Sequence, residues 1–143
     1  MAIKQLSVFV ENKQGSLHEI TDALAKANIN LRSMSVADTS NYGIVRIIAD
    51  EPDKAKALLD SEGHAANVRL VNAFAVPDQP GGLASLLKLM SEADIDIEYM
   101  YSIFGHGSGK AHMIFRVADT DKMAQVLEEH GYETSDANAI GIC

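Results

Sequence analysis

The sequence predicts an α+β protein of two β-α-β-β-α-β units, each an antiparallel sheet with its helices on one face, packed together as an intramolecular pair. Three observations carry that expectation. The chain matches itself over much of its length, period-two and period-3.6 apolar spacings alternate in the same order in both copies, and no Pro/Gly/Ser-rich linker separates them. In the self-match Val10 falls on Val76, Gly15 on Gly81, Leu17 on Leu83, Ile20 on Leu86, Leu24 on Met90, Ala27 on Ala93, Ile29 on Ile95 and Met34 on Met100, all at one offset. After a short insertion Ala49-Asp50 matches Ala118-Asp119, and Lys54 to Leu59 matches Lys122 to Leu127.

Each element follows from local chemistry. Leu6, Val8 and Val10 alternate, as in a strand with one buried face. Leu17, Ile20, Leu24 and Ala27 recur every three or four residues and are expected to line one face of a helix. Asn28 is a helix stop, and NINLRSMSVADT returns to extended spacing. Asn41-Tyr42-Gly43 reads as a hairpin turn ahead of the apolar strand IVRIIAD. Pro52 suits the first turn of a second helix, Ala55, Leu58 and Leu59 its buried face, and Gly63 its end. NVRLVNAFAV is long enough to finish one unit and begin the next, dividing the chain into residues 1–72 and 73–143. Two crossover helices must cover one face of each four-stranded sheet. The other face is left open, and its cost predicts pairing of the copies with each other or with a second chain.

Composition narrows the function. With 12 Lys+Arg against 20 Asp+Glu the net charge is -8, which repels phosphate backbones and anionic lipid, so neither nucleic acid nor membrane is expected as a partner. The charge is uneven: residues 1–72 hold 8 basic and 9 acidic side chains, and residues 73–143 hold 4 and 11. The single cysteine, Cys143, permits neither an internal disulfide nor a thiolate metal cluster, and no secretory or membrane-spanning apolar segment is evident. A cytoplasmic protein is expected.

The stretches VFVENKQGSL and AFAVPDQPGGL are the same strand-to-glycine elbow, made twice. Each puts a glycine at the start of a helix, where backbone N–H groups lack intrahelical partners and the dipole is positive. Such a cradle suits a carboxylate, and glycine lets it approach closely. Asn12 and Asp78 stand just ahead at equivalent positions and can accept from an ammonium group. Amides for a carboxylate and a polar oxygen for an amine together describe a site for a free amino acid.

Over nearly its whole length the chain resembles a tandem pair of ACT domains. The resemblance rests on V-E-N-K-Q-G-S-L and V-P-D-Q-P-G-G-L, and on A-N-I-N-L-R-S-M and A-D-I-D-I-E-Y-M, in the same order twice. It implies ferredoxin-like units that bind an amino acid between paired domains, at the elbow and first helix turn. Carried over residue by residue, it points to Asn12, Gly15, Ser16 and Leu17, and to Asp78, Pro80, Gly81, Gly82 and Leu83. Gln14 stands where the second copy has Pro80 and departs from the commoner residue. The resemblance further implies regulation of an enzyme; as this sequence leaves no residues for one, a separate metabolic enzyme is the expected partner, or the chain senses or carries its ligand alone. A homodimer is expected to cover remaining sheet edges. Leu17, Met34, Leu83 and Met100 favour a branched-chain or aromatic ligand over a charged one.

Other signals point away from catalysis and metals. GHGSGKA at Gly105 to Ala111 fails the phosphate-loop spacing, since Phe104 and Ala111 occupy required positions, and reads as a flexible hairpin able to act as a lid. His18, His64, His106, His112 and His130 show no metal-ligand spacing, and the serines lack a histidine and acid in a nucleophile motif. His18 alone, one turn past Gly15, is placed to face the ligand or the neighbouring domain. No catalytic residue, metal or cofactor is expected. RNA binding, metallochaperone and acylphosphatase functions use the same element order, but here the aromatic basic strand, the C-x-x-C and the loop arginine that they need are missing.

Overall fold

The computed structural model describes residues 2–11, 13–38, 41–103, 109–135, 137, 140 and 141. His106, Cys143 and residues 105–108 of the glycine-rich hairpin lie outside them. The chain divides into two compact units, one built on Lys4–Arg69 and the other on Leu70–Ile140. Eleven elements follow in order: β1 (Ala2–Glu11), α1 (Ser16–Lys26), β2 (Leu31–Asp38), β3 (Tyr42–Ala49), α2 (Pro52–Ser61), β4 (Ala66–Pro77), α3 (Gly82–Glu92), β5 (Ile97–Ser102), β6 (Lys110–Val117), α4 (Thr120–Glu129) and β7 (Glu133–Thr134).

The first unit has the strand order β2-β3-β1-β4 and the second β5-β6-β4-β7, the same ferredoxin-like arrangement twice. In the first, β1 runs antiparallel to β3 with Leu6 opposite Ile47 and Val10 opposite Gly43. In the second, β4 runs antiparallel to β6 with Asn72 opposite Phe115 and Val76 opposite Ala111. The fold is therefore α+β with antiparallel strands, as the repeat predicts. The register also corrects one detail of the self-match. Leu31 pairs with Ala49 and Ile97 with Val117, so Ala49 corresponds to Val117 and Ala49-Asp50 to Val117-Ala118. An Ala-Asp dipeptide near the end of the third strand of each copy, one residue out of register, draws the sequence match off by one.

Each unit closes its own apolar core. In the first, Leu6, Val8, Val45 and Ile47 of the sheet meet Ile20 and Leu24 of α1 and Ala55 and Leu59 of α2. In the second, Phe74, Val76, Phe115 and Val117 meet Leu86, Met90, Met123 and Leu127. Each large apolar side chain so buried contributes roughly 1.5–3 kcal/mol. The helix faces are turned slightly from the expected ones: Ser16, Ile20 and Leu24 are buried in α1, while Leu17 is 38% exposed. The i, i+4, i+8 row begins on the first helical residue, so the small Ser16, and Gly82 in the second copy, takes the buried place.

Asn28 ends α1 as expected, in the left-handed conformation at φ 59°, and its counterpart Asp94 does the same at φ 55°. Pro52 opens α2 at its first position. Tyr42 and Gly43 of the expected Asn41-Tyr42-Gly43 turn belong instead to β3, paired with Glu11 and Val10. In each unit a central strand buries residues that point away from that unit's helices. Gln5 and Ser7 of β1 are buried, with Gln5 Nε2 donating to Ser7 Oγ at 3.1 Å, and Ala73 and Ala75 of β4 are buried too.

Candidate functional site

The two elbows fold alike because they make the same local hydrogen bonds. In the first, Lys13 N–H donates to Glu11 O at 2.9 Å and Ser16 N–H to Lys13 O at 3.3 Å. In the second, Gln79 N–H donates to Pro77 O and Gly82 N–H to Gln79 O, both at 3.0 Å. Gly15 at φ 89° and Gly81 at φ 86° cap the two helices in the left-handed region, which an L side chain enters only at a cost. Glu19 and Ser85 then donate the first intrahelical bonds, to Gly15 O and Gly81 O, at 3.0 Å each. The first helical amide is thus turned back into the loop. The next amides of α1 and α3 have no side-chain cap, whereas in α4 Asp119 Oδ1 accepts from Lys122 N–H at 3.0 Å.

The second elbow is the tighter of the two. A Cβ on Gly82 would stand 2.1 Å from Pro77 O, so only glycine fits there, while the first elbow holds the side chain of Ser16 at the same helical position.

Beside each elbow, within its own unit, lies a cavity. The one in the second unit measures about 470 Å³. It is lined by Ala75 and Pro77 of β4, by the elbow from Gln79 through Gly82 with Ser85, by Lys110 of β6, and by His130 to Glu133. The one in the first unit measures about 300 Å³ and is built from the equivalent places: Phe9, Val10 and Glu11 of β1, then Lys13, Ser16 and Glu19, then Gly63, His64 and Ala65. Both are of a size that small ligands occupy.

Charge separates the two. Lys110 Nζ lies 2.6 Å from Glu133 Oε2 on the rim of the larger cavity. That hydrogen bond, and then the ammonium charge itself, hold the Glu133 carboxyl below its ordinary value of 4.5. His130 accepts no such role: its Nδ1 sits 2.8 Å from Val126 O, which leaves Nε2 for other partners. In the smaller cavity Glu11 pairs with Lys13 at 3.2 Å, and Glu19 adds a second acid.

Of the residues singled out by sequence, the structure gathers Pro80, Gly81 and Gly82 around the larger cavity and Ser16 on the smaller one. Gly15 forms the elbow without lining the cavity. Leu17 faces outward, Leu83 packs at the edge of the second core, and Asp78 is exposed with its N–H donating to Gly109 O at 3.1 Å. Asn12 lies outside the described residues. His18 is exposed and lines neither cavity; His112 Nδ1 lies 2.6 Å from Ser135 Oγ. The remaining lining residues, Lys110 with His130 to Glu133 and Gly63 to Ala65, were not foreseen, although Gly63 and Gly131 end corresponding helices and marked the place.

Among the described residues no group of three or more His, Cys, Asp or Glu is arranged to hold a metal ion. No described helix is long and apolar enough to cross a membrane.

A family model described as an ACT domain pair matches residues 1–138. Among solved structures, protein BT0572 from Bacteroides thetaiotaomicron is 38% identical and superposes with a TM-score of 0.91, over 99% of this chain and 96% of that one. The ligand-free regulatory subunit of aspartate kinase from Thermus thermophilus is 13% identical, with a TM-score of 0.63 over 90% of this chain and 92% of that one, a likeness of fold. No curated protein matches the chain.

Proposed function

Because the chain belongs to the ACT domain pair family, we propose that it is a non-catalytic regulatory protein that binds a free amino acid at a glycine elbow. The observation that supports this best is the double occurrence of one geometry: a left-handed glycine, uncapped first-turn amides and an adjoining cavity, made once in each unit. Helix-end amides favour a carboxylate, and the cavities match a ligand of amino-acid size. The candidate contacts are Asn12, Gly15, Ser16, Leu17, Asp78, Pro80, Gly81, Gly82 and Leu83. Ligand acts by linkage: it binds one conformation better than another, and so shifts what the protein contacts.

The partner in this reading is a separate metabolic enzyme, in line with the regulatory subunit whose fold the chain shares. Titration of the purified chain with each of the twenty amino acids tests the proposal. At least one should give a calorimetric heat or raise the melting temperature, and Gly81→Asp should abolish that response by placing a side chain and a negative charge in the cradle. A flat response to the whole panel would defeat it.

A further inference from the structure

We infer, resting on the amino-acid reading above, that the two cavities are not equivalent: the second unit's takes the zwitterionic ligand, with Lys110 facing its carboxylate and Glu133 its ammonium, and the first unit's does not.

The sheet registers carry the argument. Glu11 pairs with Tyr42 at the end of β1, and Pro77 pairs with Lys110 at the corresponding end of β4. Tyr42 therefore stands in the first unit where Lys110 stands in the second. Elsewhere in the lining the sequences Gly63-His64-Ala65 and Gly131-Tyr132-Glu133 run in parallel, so Ala65 stands where Glu133 stands. Both members of the charge pair are absent from the first copy at once.

That pair has the right chemistry and the right strength for exchange. A zwitterion offers one carboxylate and one ammonium a short distance apart, the mirror of a lysine beside a glutamate. The Lys110 and Glu133 side chains are 42% and 71% exposed. An ion pair so exposed is worth little on its own, so a ligand can replace each partner without a large penalty.

The first cavity opposes the same ligand. It is smaller, about 300 Å³ against about 470 Å³, and a serine side chain occupies the helix position that is glycine in the second. Its walls carry two acids, Glu11 and Glu19, against one lysine, Lys13, beside the amides that would receive a carboxylate. The second copy has Ser85 in place of Glu19, and its Oγ donates to Gly81 O at 3.0 Å.

Calorimetry of the full chain with the responding amino acid, chosen from the twenty-member panel, tests this. One ligand per chain is expected. Lys110→Met and Glu133→Gln should each weaken binding at least tenfold, as should removal of the carboxylate or of the ammonium from the probe. Lys4→Met, which breaks the exposed Lys4–Asp53 pair at 2.9 Å, should leave affinity unchanged. Melting curves of both rim variants should stay close to that of the parent. Two ligands per chain, or unaltered affinity in the rim variants, overturns the inference and leaves the amino-acid reading standing; no binding of any panel member overturns both.

Discussion

Replacing Gly82 with alanine separates steric from conformational demands at the second elbow. The added Cβ would lie 2.1 Å from Pro77 O, and carbon atoms of this kind are essentially never found within 3.0 Å of such a neighbour. Backbone must therefore move by about 1 Å, either by opening the elbow or by lifting the first turn of α3. Forcing a methyl into a filled space typically costs about 1–3 kcal/mol, and the upper end applies because a main-chain carbonyl cannot rotate away as a side chain can. Gly81→Ala is the matched comparison: nothing lies within 4 Å of its added Cβ, so only the left-handed φ of 86° matters, at about 1–2 kcal/mol. Ser16→Ala, at the place equivalent to Gly82 in the first unit, keeps a Cβ that already fits and should cost under about 1 kcal/mol. By thermal unfolding Gly82→Ala should melt about 6–12 °C below the parent, with Gly81→Ala between it and Ser16→Ala. If Gly82→Ala is no less stable than Gly81→Ala, the close approach of Pro77 O does not constrain the elbow and the steric argument is wrong.

Three further outcomes follow from the packing and charges. Leu24→Ala and Met90→Ala empty corresponding core positions that are 0% and 1% exposed, and each should cost about 2–5 kcal/mol in denaturant titration. Asp94→Gly relieves the left-handed conformation at φ 55° and should stabilise the chain by about 0.5–1 kcal/mol, net of the added freedom of the unfolded glycine. Lys110→Met should move the Glu133 titration, followed by NMR, upward toward the ordinary carboxylate range. In the parent the depressed Glu133 value means that the pair's stabilisation is present above pH 4.5 and fades as pH falls through the lower folded value.

Much of this could be read from the sequence because the information is local or doubled. The helix periods, Pro52 at a helix start and Asn28 at a helix end each depend on neighbours a few residues away. The repeat supplied the topology, since one assignment had to satisfy two stretches of chain. What stayed hidden was set by pairing across distance. Lys110 and Glu133 are 23 residues apart and meet only because β6 and β7 flank the same end of β4. The turn placed at Tyr42-Gly43 failed for the same reason: composition marks a glycine as a turn residue, but the ladder with Val10 and Glu11 draws both residues into β3. Hydrophobicity alone points Leu17 inward, whereas the helix phase is fixed by the preceding elbow and points Ser16 inward instead.

Comparing the copies place by place distinguishes what folding demands from what it leaves free. At core positions apolar character is kept while size is traded: Val8 faces Phe74 in the correspondence, and Ala55 faces Met123. Leu6 against Asn72 and Gln5 against Val71 change class, and the buried Asn72 amide donates to Thr120 O at 2.9 Å while Gln5 Nε2 donates to Ser7 Oγ. Around the cavities the trades cross chemical class: Tyr42 against Lys110, Ala65 against Glu133, Glu19 against Ser85. A class change at a buried place costs several kcal/mol, whereas at the rim it usually stays within about 0.5 kcal/mol. Folding therefore does not dictate the rim residues, and stability cannot be the reason that the charge pair stands in one unit alone. Rim variants should alter ligand response with almost no change in melting temperature; a Lys110→Met protein that loses stability as a core variant does would make the pair a structural brace and remove the basis for assigning it to recognition.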